Sequence, residues 1–268
     1  PSWDIYVSDA RTMVLDELYR AAESLEDNGF VVLRNTSFFS RRQLADAFDA
    51  AEEELSNLRE LVAELGMHEP WSNEDLTAKG FAFKEARSYS VSRLDQPLLL
   101  NTTPFSSAPW RKRSDMLKLC TLLYGTTCEQ SVFGSLWNFP GAKSLHMHRD
   151  GLFPMLTVVY GVQDYPSNAG WLQVVPNTHL VGDSMSEEDL NPGSVDAVTI
   201  MLRKGEVLIF KYSLVHTATP NPTKYERCLL YAVYGPVGLR DHRTYAPADP
   251  WLWKRRSKQK RKNKQTRR

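Results

Sequence analysis

The 268-residue sequence predicts an α+β fold that is mainly β, with helices in the first half and an all-β sandwich or barrel in the second. Three observations carry this. Apolar residues recur at helical spacing up to about Leu65. From Ser131 onward they fall instead in short runs separated by Gly, Pro and Asn. Those runs also follow one another without the helical stretches that βαβ units require.

Each element has a local reason. Val14, Leu15, Leu18, Ala21, Ala22 and Leu25 form a stripe of period 3.6 that predicts a helix between Met13 and Asn28, closed by Asn28-Gly29. Phe30-Val31-Val32-Leu33 is a short β-branched run and reads as a strand. Ser40, with Gln43 three residues on, has the form of a capping box and opens a second helix that runs to about Leu65 and ends at Gly66. Its acidic stretch at Glu52 to Glu54 reads as a solvated face. Residues 67–110 show no period and are rich in aromatics, Ser, Pro and Asn, which reads as a loop-rich lid or an insertion. A third helix is expected from about Trp110 to Leu123. Strands are expected near 132–138, 155–162, 171–175, 197–203, 206–211 and 227–235.

Composition bounds the class. With 42% apolar and 24% charged residues, the chain reads as an ordinary soluble globular protein. No run approaches the roughly 18 apolar residues that span a bilayer. The chain opens on Pro1 without a start Met, so a cleaved leader stays an open expectation. Cys120, Cys128 and Cys228 are odd in number and lack CxxC spacing, which argues against a disulfide framework or zinc ribbon and for a reducing compartment. No GxGxxG, Walker or GxSxG motif is present, which weakens nucleotide and serine-hydrolase readings.

The net charge of +1 conceals an asymmetry. Residues 254–268 hold ten Lys or Arg and no acid, so the rest of the chain carries −9. Such a block is normally disordered and solvated. It leaves open an attraction to nucleic acid or an acidic surface and a nuclear import signal, beside a cytoplasmic location. The C-terminal Thr266-Arg267-Arg268 is not a peroxisomal address. The expected organisation is a single domain over 1–253, helical to about 130 with a β core at about 131–236, followed by the basic tail at 254–268.

The chemistry concentrates in His148-Arg149-Asp150, answered by His216 and then by Arg227. On a strand, His148 and Asp150 would project to one face. Two imidazoles and a carboxylate in this pattern are the donor set of the facial triad of non-haem Fe(II) oxygenases. His216 follows the apolar run Val207-Leu208-Ile209-Phe210 and precedes Pro220-Asn221-Pro222, so it sits near the end of a buried strand. Arg227 would hold the far carboxylate of a dicarboxylate, 2-oxoglutarate, through its planar guanidinium. His146 and His179 stay open as competitors, the first beside His148 and the second as an alternative distal ligand. A lone His is more often structural than a ligand; it is the combination with Arg227 that is specific.

The stretches LHMHRDG (145–151), AGWLQVVPNTH (169–179), KGEVLIF (204–210) and HTATPNPTKYERCLLYAVYG (216–235) resemble the phytanoyl-CoA dioxygenase family of Fe(II)/2-oxoglutarate oxygenases. The resemblance runs weakly over about 12–236 and strongly over 145–235. It implies a double-stranded β-helix, a cupin-like jelly roll, with His148, Asp150 and His216 as iron ligands and Arg227 on 2-oxoglutarate. By a looser match it places Gln173 and Asn138 along the co-substrate or substrate pocket. Met147 and Asn177 depart from the family's usual residues without touching the triad. The implied activity is hydroxylation of a small organic molecule using Fe(II), 2-oxoglutarate and O2, with ascorbate as a helpful reductant and succinate and CO2 released. Retention of Asp150 favours hydroxylation, since related halogenases lack this carboxylate. The alternatives are a non-catalytic binding or scaffold protein on the same barrel and an oxygenase whose macromolecular substrate, nucleic acid or protein, docks on the tail.

Overall fold

The computed structural model describes residues 2–8, 11–64, 66, 92–98, 103–111, 113–181 and 196–241. The expectations for the basic tail, and for most of 67–110, therefore fall outside the described residues.

The N-terminal elements are β1 (Asp4–Tyr6), α1 (Leu15–Asp27), β2 (Phe30–Arg34) and α2 (Arg41–Glu64). They form where periodicity and caps predict, β1 being an addition. Asn28 caps α1 through its amide to the Ser24 carbonyl at 2.8 Å, and Gly29 turns the chain at φ +84°. Before α2 the capping box is closed in both directions: Ser40 N–H donates to Gln43 Oε1 at 2.8 Å and Gln43 N–H to Ser40 Oγ at 3.2 Å. Next come β3 (Arg93–Pro97), the one-turn α3 (Ala108–Arg111) and α4 (Ser114–Tyr124). The strand β3 lies inside the stretch expected to be loop-like. Its pattern Arg-Leu-Asp-Gln-Pro is an alternation with a polar inner face, so its apolar signal is a single Leu.

The β core follows as β4 (Cys128–Asn138), β5 (Leu156–Gly161), β6 (Leu172–Val174), β7 (Val198–Ile200), β8 (Val207–Lys211), β9 (His216–Ala218) and β10 (Arg227–Pro236). Seven strands form the major sheet in the order β1-β2-β8-β5-β10-β4-β3, and three form the minor sheet in the order β7-β6-β9. All neighbours are antiparallel except β1 and β2. Together the sheets make the expected double-stranded β-helix. The sequence boundary near 130 is not a divide in the fold, because β2 pairs with β8 from Phe30↔Phe210 to Leu33↔Val207.

The major sheet is buried on both faces, which is why β5 and β10 read as continuous apolar runs rather than alternating ones. On β10 the odd positions Leu229, Tyr231 and Val233 belong to the barrel interior with Phe30, Val32, Val159, Leu172 and Phe210. The even positions Cys228, Leu230, Ala232 and Tyr234 pack under the helices with Leu25, Ala47, Ala51 and Leu55. Fully burying one such leucine is worth about 1.5–3 kcal/mol, so the helical layer holds the outer sheet face firmly. The three cysteines are buried and free. No described helix is long and apolar enough to cross a membrane.

Candidate metal and co-substrate site

Backbone pairing brings the two predicted histidines together. His148 pairs in antiparallel sense with His216, the first residue of β9, with N–H···O distances of 3.0 and 2.9 Å. Their rings lie 4.5 Å apart, centre to centre. After His148 the chain bends, and Asp150 swings round to put Oδ1 3.7 Å from His216 Nε2. The expected same-face placement on one strand thus holds for His148 but not for Asp150, which comes from the bend. One donor atom from each of the three residues falls within 4.8 Å of the others.

Each histidine is fixed in the form a metal needs. His148 Nδ1 lies 3.1 Å from the His146 carbonyl, and His216 Nδ1 lies 3.0 Å from the Leu214 carbonyl. A ring nitrogen facing a carbonyl carries the proton, which leaves Nε2 with its lone pair as the ligating atom. Thr157, on β5, donates its hydroxyl to Asp150 Oδ2 at 3.2 Å.

A cavity of about 180 Å³ opens on the triad, bounded by Leu172, Phe210 and Leu229 on its apolar side and by Arg93, Asp95 and Arg227 on its polar side. Arg227 is the first residue of β10 and shares that strand's inward parity. It is only 2% exposed, and its Nε and Nη1 find no hydrogen-bond partner among the described residues. Burial pulls its pKa down to about 10. Because a guanidinium keeps its proton in folded proteins, this downward pull expresses the cost of burying the charge. Its ring neighbour is Trp171, with the guanidinium carbon 5.9 Å from the indole centroid. A buried cation facing a cavity beside the His-Asp-His cluster, with two donors unpartnered among the described residues, could receive a carboxylate.

The local sequence explains how Arg227 is held. Asn221, between Pro220 and Pro222, is fully buried, and its amide donates to the carbonyls of Asn138 and Tyr225 at 2.8 Å each. On the other side, Arg59 from α2 grips Glu226 with contacts of 2.8 and 3.3 Å. The residue before Arg227 is therefore tied to the helical layer.

The remaining candidates separate. Asn138 pairs with Arg227 across β4 and β10, but it is fully buried, donates to the Gly170 carbonyl at 3.0 Å and is not among the residues that line the cavity. Gln173 is not brought to the cavity. Its neighbours Leu172 and Val174 take the inward positions of β6, so its amide points outward and donates to Thr199 at 3.0 Å. His146 lines the cavity with its ring 5.3 Å from that of His148, yet it is not one of the three clustered donors. His179 sits elsewhere, its Nε2 2.9 Å from the Glu26 carbonyl, and burial lowers its pKa.

Four cavity residues are not among the site residues predicted from the sequence. Arg93 hooks the carbonyls of Lys143 and Thr219, both at 2.7 Å, and burial together with the nearby Arg227 charge pulls its pKa down to about 9. Asp95 accepts the Tyr231 hydroxyl at 2.8 Å. The Tyr231 ring lies across Gly134, where a Cβ would collide with it. The fourth is Thr157. The only available signals were the alternation of Arg93 and Asp95 and a lone Thr in an apolar run.

A profile of the phytanoyl-CoA dioxygenase family matches residues 25–228. No curated protein matches the chain. Among solved structures, AviO1 from Streptomyces viridochromogenes Tue57 is similar at TM-score 0.60 and 17% identity, covering 86% of this chain and 99% of that one. EctD from S. alaskensis, solved with 2-oxoglutarate and 5-hydroxyectoine, is similar at TM-score 0.60 and 18% identity, covering 92% and 88%. SnoN, described as a non-heme alpha-ketoglutarate-dependent epimerase from nogalamycin biosynthesis, is similar at TM-score 0.54 and 19% identity, covering 82% and 80%. At these identities the likeness speaks for the fold.

Proposed function

Because the chain belongs to the phytanoyl-CoA dioxygenase family, we propose that it is an Fe(II)- and 2-oxoglutarate-dependent oxygenase that hydroxylates a small organic substrate. The observation that carries this reading is the convergence on one cavity of a His-Asp-His cluster and the buried Arg227, whose Nε and Nη1 have no partner among the described residues. His148, Asp150 and His216 would hold the metal, and Arg227 the far carboxylate of 2-oxoglutarate. Bound together with O2, that pair supplies a two-electron oxidation of a C–H bond, coupled to decarboxylation of 2-oxoglutarate to succinate and CO2.

The chain's own residues provide orientation and exclusion of water. The His146 and Leu214 carbonyls set both imidazole tautomers, and Leu172, Phe210 and Leu229 exclude water from one side of the cavity. Retention of Asp150 as the third donor supports hydroxylation over halogenation. Because the structurally similar SnoN is an epimerase, the mass of the product is the decisive readout: hydroxylation adds one oxygen atom, whereas epimerisation leaves the mass unchanged.

The test is a substrate-library screen for succinate release with Fe(II), ascorbate and 2-oxoglutarate, using His148→Ala as the blank. Coupled succinate release with an oxygen-bearing product is the expected result. A wild-type chain that binds no metal and releases no more succinate than the blank would sink the reading.

A further inference from the structure

The two oxygens of Asp150 are not equivalent. Oδ1 faces His216 Nε2 at 3.7 Å, while Oδ2 accepts the Thr157 hydroxyl at 3.2 Å. The run around Thr157 is Leu-Thr-Val-Val, and Thr has nearly the shape of Val. A hydroxyl there is 4% exposed and would be costly without an acceptor. Asp150 is the acceptor. Thr157 is also held rigidly, paired with Phe210 of β8 on one side and Val233 of β10 on the other. The two histidines are oriented by backbone carbonyls, so Asp150 is the member of the triad held by a side chain from another strand.

We propose that Thr157 is a positioning residue that occupies Asp150 Oδ2 and so limits this carboxylate to one metal-ligating oxygen, Oδ1. The inference rests on the functional reading above and deepens it. Two imidazoles and one carboxylate oxygen leave three positions of a six-coordinate ion. A chelating 2-oxoglutarate would take two, and O2 would need the third. A carboxylate turned to ligate through both oxygens would consume one of these. Thr157 therefore guards a coordination position through Asp150 rather than by ligating the metal itself.

The test uses the full chain, stripped of metal and titrated with Co(II), as wild type, Thr157→Val and Thr157→Ser. Partners that orient a metal ligand typically contribute 10–100-fold in metal affinity. Thr157→Val is thus expected to weaken Co(II) binding roughly 10–100-fold and to alter the Co(II) visible spectrum. Thr157→Ser, which keeps the hydroxyl, should stay close to wild type. In parallel, the Fe(II)–nitric oxide EPR signal formed with 2-oxoglutarate present reports the third position. It should fall in Thr157→Val and return in Thr157→Ser, an effect that loss of packing alone would not produce. Should Thr157→Val fail to fold, Thr157→Ala takes its place in both measurements. A valine variant with wild-type Co(II) affinity, spectrum and nitric oxide signal overturns this inference and leaves the functional reading standing. A wild-type chain that binds no Co(II) overturns both.

Discussion

His148 and His216 exchange both of their backbone hydrogen bonds, although 68 positions separate them in sequence. The two imidazoles are thus brought together by backbone pairing, and each side chain of the cluster can be removed without dismantling the bridge. His148→Ala, Asp150→Ala and His216→Ala should each fold, with unchanged secondary structure by circular dichroism. Each should lose several kcal/mol of transition-state stabilisation, about a thousandfold or more in succinate release. Turnover near the wild-type rate in any of the three would remove that residue from the ligand set.

Arg227 makes a prediction of opposite sign for stability and for function. Arg227→Met should raise the KM for 2-oxoglutarate about a hundredfold, as expected from losing charge-assisted hydrogen bonds of about 1.5–3 kcal/mol each. Co(II) affinity should be unaffected. The same change removes a buried charge whose Nε and Nη1 lack partners among the described residues, so the ligand-free variant should be more stable to urea than wild type by about 1–3 kcal/mol. A ligand-free Arg227→Met chain less stable than wild type would show that the guanidinium is already satisfied.

Asp95 and Tyr231 face the cavity as a hydrogen-bonded pair, and the expected role is to anchor a polar group of the substrate. Tyr231→Phe and Asp95→Asn should each lower kcat/KM for the substrate by about 10–100-fold, the worth of a hydrogen bond to a charged group. The affinities for Co(II) and 2-oxoglutarate should be unchanged. Loss of 2-oxoglutarate binding instead would place the pair in the co-substrate site.

Acid sensitivity has a traceable contributor in Glu17 on α1. Burial alone would raise its pKa, but the Ser8 and Val14 amides and the Ser8 hydroxyl, with help from Arg20, outweigh burial and hold it below the usual carboxylate value of 4.5. A carboxylate whose folded pKa is depressed binds fewer protons in the folded state than in the unfolded state. Its stabilisation is therefore present above about pH 4.5 and is lost as pH falls through the folded value. Glu17→Gln should shrink the fall in unfolding free energy below pH 4.5, measured by urea titration across pH. An acid profile superimposable on wild type would contradict the assignment.

Much of this architecture was legible where a local signal and the tertiary context agree. The Ser40–Gln43 capping box, the Asn28-Gly29 stop and the run Val207–Phe210 each mark their element correctly. The triad was legible because its donor types are rare in combination. The strand β3 was not, since its inward face carries Arg93 and Asp95 for the cavity rather than apolar residues for a core. Gln173 shows the converse failure. A motif match named the residue type, but only the parity of β6, with Leu172 and Val174 inward, decides which way the amide points. Thr157 was invisible for a third reason: its acceptor lies seven residues away around a bend, outside any strand or helix period.

The bend between His148 and Asp150 has a mechanical consequence. His148 and His216 belong to the edge of the minor sheet, whereas Asp150 is moored through Thr157 to the middle of the major one. The three donors therefore work as the jaws of a caliper whose opening is the distance between the two sheets. Any residue that wedges the sheets apart or lets them slide, however far from the cavity, shifts Oδ1 relative to the two imidazoles. The packing of large interior side chains such as Phe30 and Phe210 thereby bears on the spacing of the three donor atoms.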